Sequence, residues 1–395
     1  MSELQTVKLR PGKGRRFAEG APWIFADEVA MDRRARKIAP GSIVQMIEGE
    51  RPLGLAAFNP DSQIAARILD KDPEAVIDRD WLARRLAAAL ALRERMFDAP
   101  FYRLVHAEGD GLPGVVIDRF GDAAVVQPNA AWADALVEDL IAALADVTGC
   151  KTVVLNGGGR ARKLEGLEPR FEIPLGALAG PIEVTMNGAR YLADLEGGQK
   201  TGLFFDQRPN HAFVAGLAKD ARVLDVFAHV GGFGLAALAA GAAEVRAIDS
   251  SVPALALADE AAKRMGVADR FTTEKADAFD ALAALGSQNV DRFDIIVCDP
   301  PAFAPGKKAL EAGLRAYDKV ARLAAPLVAP GGSLTLCSCS HAAGVEAFHK
   351  ACVMGIRKAG RSGALIHSGR AGPDHPVHIG LPETGYLKAL TFRLD

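Results

Sequence analysis

The sequence predicts a multidomain protein: an N-terminal β-barrel, a small central α+β domain and a C-terminal doubly wound α/β domain. Three observations carry that expectation. At 395 residues the chain is too long for one small module and suits two or three domains. Residues 38–70 hold short apolar and β-branched runs broken by PG, EGE and NPDS, the pattern of a small all-β unit. Beyond residue 221 strands and helices alternate, which calls for a mostly parallel sheet with helices on both faces.

In chain order, residues 1–73 form the barrel and residues 74–180 the central domain. The latter opens with an amphipathic helix over Asp80–Phe97, where apolar residues recur at helical spacing between Arg and Glu. Strands at VVIDRF and AAVVQP, a helix near 131–146, a strand at KTVVLN and a loop GGGRAR follow. Residues 181–395 make the third domain. It starts with a hairpin, strands near 181–186 and 189–194, joined at the turn pair Asn187-Gly188. Then come strand RVLDVF, a glycine-rich turn, helix LAALAAG, strand EVRAID, helix PALALADEAAKRMG, strand RFTTEKAD, a helix, strand FDIIVCDPP, a helix, strand GSLTLCSC and a final helix.

With 49% hydrophobic, 24% charged and 6% aromatic residues the chain reads as globular rather than disordered. A formal charge of −2 excludes a uniformly basic nucleic-acid coat but not a local basic face. Residues 1–71 carry 12 basic against 9 acidic residues, residues 72–190 carry 13 against 18, and the remainder 22 of each. Lys13, Arg15 and Arg16, with Lys8 and Arg10, crowd nine residues without an acid, and Arg33, Arg34, Arg36 and Lys37 form a second run. Such runs suit phosphates, whose neutralisation releases counterions; the bland alternative is a solvated face. Five cysteines, with no zinc-finger spacing, suggest neither a disulfide framework nor a metal site. The N-terminus lacks the apolar core of a signal peptide and no apolar run is long enough to cross a bilayer, so a soluble, cytoplasmic protein is expected.

In doubly wound sheets ligands bind at the carboxyl ends of the strands. The first such end carries Asp225 and the turn Ala228-His229-Val230-Gly231-Gly232-Phe233-Gly234. Asp249 ends the next strand, where a carboxylate takes ribose hydroxyls, and Asp277 ends the third, within reach of an adenine edge. A helix-start acid is the alternative for Asp249. A dinucleotide needs G-x-G-x-x-G against its pyrophosphate, and Asp225 would repel one; the same acid suits the cationic amino-acid end of S-adenosylmethionine. The methyl donor is therefore the expected cofactor.

The fourth strand ends in Asp299-Pro300-Pro301, a stiff turn that presents a carboxylate to a substrate base. The fifth ends in Cys337-Ser338-Cys339-Ser340-His341. An acid beside a ring nitrogen, and a thiol on the neighbouring strand, point to carbon methylation of a pyrimidine: cytosine C5 becomes nucleophilic once a thiolate adds at C6. Alternation puts Cys337 and Cys339 on one face, and proximity to the strand end favours Cys339 as nucleophile. Cys150, Cys298 and Cys352 read as small core residues, and His229 and His341 as loop contacts.

The stretch from Gln199 to Arg208 (QKTGLFFDQR), with VLDVFAHVGGFG, DPPAFA, CSCS, PWIFADEV and HPVHIGLPETGYLKAL, resembles the ribosomal RNA large-subunit cytosine-5 methyltransferases that carry an N-terminal PUA domain. The likeness spans essentially the whole chain. It implies a PUA-like barrel, a central α+β domain and a Rossmann-like class I methyltransferase acting on ribosomal RNA with S-adenosylmethionine. It also implies that Phe205 and Arg208 flank the cofactor pocket, Asp225 and Gly231 its methionine end, Asp249 the ribose and Asp277 the adenine, with Asp299 at cofactor and cytosine and Cys339 as nucleophile. Two departures stand out: Ala228-His229-Val230 replaces the Cys-Tyr-Thr of many relatives, and Ala302 replaces a Lys that Lys307 and Lys308 could offset as RNA contacts. A homodimer is allowed for. The rival readings are an RNA methyltransferase acting on another base or atom, and a PUA-type RNA-binding protein without catalysis.

Overall fold

Turn-punctuated strands build the first sheet. In the computed structural model, which describes residues 4–198, 202–288 and 292–395, strands β1 (Thr6–Lys8), β2 (Trp23–Ile24), β3 (Ser42–Glu48), β4 (Arg51–Phe58) and β5 (Ala66–Asp70) pair in the order β1-β3-β4-β5-β2. An antiparallel bridge between Leu9 and Val29 links the chain just beyond the two edge strands, so the sheet curls on itself around Val44, Met46 and Phe58. A short helix α1 (Gly14–Ala18) lies between β1 and β2.

A second sheet follows helix α2 (Arg79–Glu94), whose first turn is capped by Asp78 accepting the Trp81 N–H at 2.9 Å. Its strands β6 (Phe101–His106), β7 (Val115–Phe120), β8 (Ala123–Pro128), β9 (Thr152–Asn156) and β10 (Phe171–Leu175) are ordered β10-β9-β8-β7-β6. The single helix expected near 131–146 is two, α3 (Ala131–Ala135) and α4 (Val137–Thr148), because Leu136 leaves helical geometry at φ −103°, ψ 21°. The expected GGGRAR loop ends in a helical turn, α5 (Arg160–Leu164).

These two sheets and the distant segment Pro373–Pro382 form one compact unit, although that segment falls in the range the sequence assigns to the third domain. Its anchor is a buried ion network. Arg93 is fully buried, binds both carboxylate oxygens of Asp110 at 2.5 and 2.7 Å, and donates to the Asp374 carbonyl at 3.0 Å. The Asp374 carboxylate in turn accepts the Arg103 N–H at 3.0 Å.

The second unit begins with the hairpin β11 (Ile182–Met186) and β12 (Ala189–Ala193). Asn187 (φ 54°) and Gly188 (φ 76°) take the positive angles that a two-residue hairpin turn demands. After α6 (Arg208–Ala215) come β13 (Arg222–Val226), α7 (Gly232–Ala239), β14 (Glu244–Asp249), α8 (Val252–Arg264), β15 (Phe271–Lys275), α9 (Ala278–Ser287), β16 (Phe293–Cys298), α10 (Leu310–Ala324), β17 (Val328–Ser338), α11 (Val345–Lys358), β18 (Gly363–Gly369) and β19 (Lys388–Leu394). The sheet order is β15-β14-β13-β16-β17-β19-β18. Its first five strands are parallel; β19 runs antiparallel to β17 on one side and β18 on the other. Strand order reverses between β13 and β16, which sets the ligand crevice at their carboxyl ends. The terminal pair β18 and β19 was not read from the sequence.

Candidate active site

The glycine turn after β13 is shaped by what lies beneath it. Phe227 (φ 63°), His229 (φ 51°) and Gly231 (φ 79°) carry the chain through left-handed backbone into α7. A Cβ on Gly232 would stand 2.9 Å from the His211 ring, and one on Gly234 2.8 Å from Val245 Cγ1. His211, from α6, packs edge-on against Phe233 at 4.4 Å, and the Tyr191 hydroxyl of β12 donates to the Gly232 carbonyl at 3.1 Å. Burial pushes the imidazole down to about 3, so His211 is a neutral support, and pushes the Tyr191 hydroxyl up. Neither residue was singled out from sequence; a His in an amphipathic helix gives no local signal.

Three acids stand at neighbouring strand ends. Asp225 is buried; its Oδ2 accepts the Gly234 N–H at 2.8 Å, and its Oδ1 has no hydrogen-bond partner among the described residues. Burial raises this carboxyl to about 7, opposed by the Gly234 N–H and helped by the charge of Asp249. Asp249 accepts the N–H of His229 through one oxygen and that of Ser251 through the other, both at 2.8 Å. It thus braces the glycine turn, while Ser251 separately caps α8 by accepting the Ala254 N–H. Asp277 is exposed and caps α9, accepting the N–H groups of Phe279 at 2.8 Å and Asp280 at 3.1 Å. Phe205 is buried just before α6, with the Arg208 guanidinium 5.7 Å above its ring. Arg208 also acts electrostatically on Tyr191 and His211, the two side chains that support the glycine turn. Gln199, Lys200 and Thr201 of the quoted stretch lie outside the described residues.

On the other side of the strand-order reversal, the Asp299 N–H donates to the Val226 carbonyl at 3.2 Å, extending the β13–β16 pairing by one residue. Asp299 is half-buried, and its charge adds to burial in raising the thiols of Cys298 and Cys337. Cys337 is buried inside β17 with its thiol held well above the ordinary range, whereas Cys339 stands just past the strand end and is partly exposed. The two thiols that strand alternation leaves equivalent are thus separated by solvent access. Cys150, Cys298 and Cys352 are buried as well.

Both serines flanking Cys339 are held from behind. Tyr317 of α10 takes a hydrogen bond from Ser338 Oγ at 2.9 Å and shares another with Ser340 Oγ at 2.8 Å. Ser340 Oγ also accepts the Ala304 N–H at 2.9 Å, joining this loop to the one after the two prolines. Lys388, opposite Ser338 in the β17–β19 pairing, donates from Nζ to the carbonyls of Ser340 at 2.7 Å and Ala343 at 2.8 Å. His341 lies 5.1 Å from the Tyr386 ring and His229 5.0 Å from Phe204, contacts of loop residues.

The basic residues distribute differently. Lys307 and Lys308 are exposed in a single turn following the Asp299 loop. Lys13, Arg15 and Arg16 belong to the first unit, at and on α1, where Arg15 pairs with Glu19 at 2.7 Å and Arg16 with Glu28 at 3.2 Å. Among the described residues no group of three or more His, Cys, Asp or Glu stands where it could hold a metal ion, and no helix is long and apolar enough to cross a membrane.

Residues 7–71 match the family described as a PUA-like domain, and residues 174–393 match the S-adenosylmethionine-dependent methyltransferases. The chain belongs to the S-adenosylmethionine-dependent methyltransferases. It is 35% identical over 396 residues to a ribosomal RNA large subunit methyltransferase I of Shewanella amazonensis, covering 98% of this chain and 99% of the relative. A protein of the same name from Tolumonas auensis is 36% identical over 398 residues, covering 98% and 99%. The fold matches that of SMU.776, whose crystal structure is a complex with SAH, at a TM-score of 0.82 with 18% identity, over 98% of this chain and 99% of that one. A SAM-dependent methyltransferase from Streptococcus mutans gives 0.81, also at 18% identity, over 99% and 100%. S-adenosylmethionine is the cofactor of this methyltransferase. The site's chemistry fits it: Oδ1 of Asp225 is a buried acceptor without a partner among the described residues, at the end of β13 where the glycine turn leads into α7.

Proposed function

We propose that this methyltransferase modifies C5 of a cytosine in large-subunit ribosomal RNA through a covalent adduct with Cys339. The observation that carries the reading is the exposure of Cys339 beyond β17, at the strand next to the Asp299 turn, while Cys337 is buried with a raised thiol. The substrate class rests on the relatives, whose printed name is ribosomal RNA large subunit methyltransferase I.

In this reading the Asp225 carboxylate faces the cationic amino-acid end of the cofactor, Gly231 lines that end, and Phe205 and Arg208 flank the pocket. Asp249 takes the ribose, Asp277 the adenine edge with the oxygen its capping role leaves open, and Asp299 borders cofactor and cytosine. S-adenosylmethionine, when bound, supplies an electrophilic methyl at its sulfonium, which C5 accepts. Cys339 as thiolate adds to C6, forming an S–C6 bond and making C5 nucleophilic. Asp299 holds the ring nitrogen that gains a proton as the adduct forms. After transfer the C5 proton is lost, its bonding pair restores the C5–C6 double bond, and the S–C6 pair returns to sulfur. Residues 1–73, with Lys13, Arg15 and Arg16, supply an RNA-facing module, and Lys307 and Lys308 contact RNA near the site.

The test is to incubate the full chain with labelled S-adenosylmethionine and ribosomal RNA lacking its own methylation, then map the label. 5-Methylcytidine in large-subunit RNA, and no transfer by Cys339→Ala with donor binding intact, is the expected result. Label on another base, or ordinary turnover by Cys339→Ala, sinks the covalent scheme.

A further inference from the structure

Lys388 is a buried cation in an unusual place. It opens β19 directly opposite Ser338, so it lies alongside the strand end from which Cys339 emerges. Only 5% of the residue is exposed, and the partners of its Nζ are the carbonyls of Ser340 and Ala343, on the loop that follows Cys339. No carboxylate lies within 4 Å of it among the described residues. Carbonyl dipoles leave a buried ammonium's unit charge uncompensated, which is costly unless a neighbouring group ionises.

The groups around this loop offer few counter-charges. Tyr317, from α10, is already engaged with Ser338 and Ser340, and burial raises its hydroxyl. His341 follows within the loop with its ring tilted against that of Tyr386, and neither is an acidic residue type. Asp299, at the end of β16, acts on Cys298 and Cys337. Cys339 is the titratable group that acts on Lys388 itself: burial lowers the ammonium to about 8 and the Cys339 thiolate opposes that drop. The same interaction, taken from the sulfur's side, favours the thiolate.

We propose that Lys388 is the positioning residue for Cys339: its ammonium pins the Ser340–Ala343 loop by two carbonyls and supplies the positive charge against which the Cys339 thiol ionises. This rests on Cys339 being the nucleophile, and it answers the difficulty that an ordinary thiol is only a few per cent ionised at pH 7. A lysine suits the role better than an arginine's broad fork where two carbonyls of one tight loop must be met by a compact head. The arrangement could not be read from neighbouring sequence, because Lys388 reaches the loop after Cys339 only through an antiparallel strand added from the far end of the fold.

The test uses the full chain and iodoacetamide. The rate of carboxamidomethylation of Cys339, followed by mass spectrometry of its peptide against pH, reports the thiolate fraction. The wild-type midpoint is expected below the ordinary cysteine value of about 8.5. Lys388→Met should raise it by about one pH unit, leaving about tenfold less thiolate at pH 7, and Lys388→Arg should recover much of the loss. Thermal unfolding and SAH binding of each variant report on folding. A wild-type midpoint at or above 8.5 overturns the proposal without any variant, as does a folded Lys388→Met with an unshifted midpoint. Methyl transfer by Cys339→Ala would instead overturn the nucleophile reading, and leaves the alkylation result to stand or fall by itself.

Discussion

Asp249 accepts the backbone N–H of His229 at 2.8 Å, tying the carboxyl end of β14 to the glycine turn that follows β13. The other oxygen of the same carboxylate holds the Ser251 N–H. Asp249→Asn is therefore not a silent isostere: one N–H must face an amide NH2 instead of an oxygen. A stability loss of about 1–3 kcal/mol is expected from the lost acceptor, together with at least tenfold weaker SAH binding by calorimetry. If the unfolding midpoint stays put while affinity falls, the acid touches ligand without bracing the turn.

The raised carboxyl of Asp225 predicts a pH dependence with a definite sign. Its folded value of about 7 exceeds the ordinary carboxylate value of about 4, so the native state binds more protons between them. This group's contribution to stability is thus greatest below about pH 4 and declines as pH rises towards 7. Cofactor affinity should move the opposite way, strengthening as pH passes 7 and the carboxylate ionises to meet the donor's ammonium. Asp225→Asn should flatten both profiles; identical slopes in variant and wild type, from urea melts and calorimetric titration, would exclude the carboxyl as their source.

Gly232 and His211 form a testable pair. A methyl group at Gly232 meets the imidazole at 2.9 Å, and overpacking of this kind costs about 1–3 kcal/mol. Gly232→Ala should lose stability and donor affinity, and adding His211→Ala should return part of both. A double variant no better than the sum of the singles would show that the glycine is needed for something other than the ring beneath it.

The two thiols at the end of β17 should differ in consequence. Cys337→Ala empties a small buried space, at a cost of about 1 kcal/mol, with methyl transfer retained within a few-fold. Cys339→Ala should leave the melting curve unchanged and abolish transfer. Exchanged phenotypes would move the nucleophile to Cys337.

The basic run of the first unit should act through salt. Replacing Lys13, Arg15 and Arg16 with Gln is expected to weaken ribosomal RNA binding and to flatten the plot of log affinity against log salt, by about 0.7 per lost phosphate contact on a single strand. Arg15 and Arg16 already face Glu19 and Glu28, so Lys13→Gln alone should account for a large share of the change. An unaltered slope would mark the run as a solvated face.

What could be read from the sequence were features whose signal is local. The Asn187-Gly188 turn, the alternation beyond residue 221 and the acids at Asp225, Asp249 and Asp277 each announce themselves within a few residues. For Asp249 the sequence left a helix-start role open; its bracing of the glycine turn, the hold of Asp225 on the Gly234 N–H and the capping of α9 by Asp277 stayed hidden, because a carboxylate that accepts a backbone N–H looks the same in sequence as one that does not. His211, Tyr191 and Tyr317 stayed hidden because their partners, Gly232, Ser338 and Ser340, are brought to them only by the finished sheet. The segment GYLKAL was legible as a motif and not as a strand, since its pairing partner β17 lies some fifty residues earlier.

The place of β19 also bears on how the protein is made. Because β19 is inserted between β17 and β18, the catalytic sheet cannot close from the N-terminus onward as synthesis proceeds; it must wait, with the edges of β17 and β18 unpaired, until Leu394 exists. The same strand delivers Lys388 to the Cys339 loop. A nascent or C-terminally clipped chain would therefore lack both the strand that joins β18 to β17 and the charge that we propose stands behind Cys339.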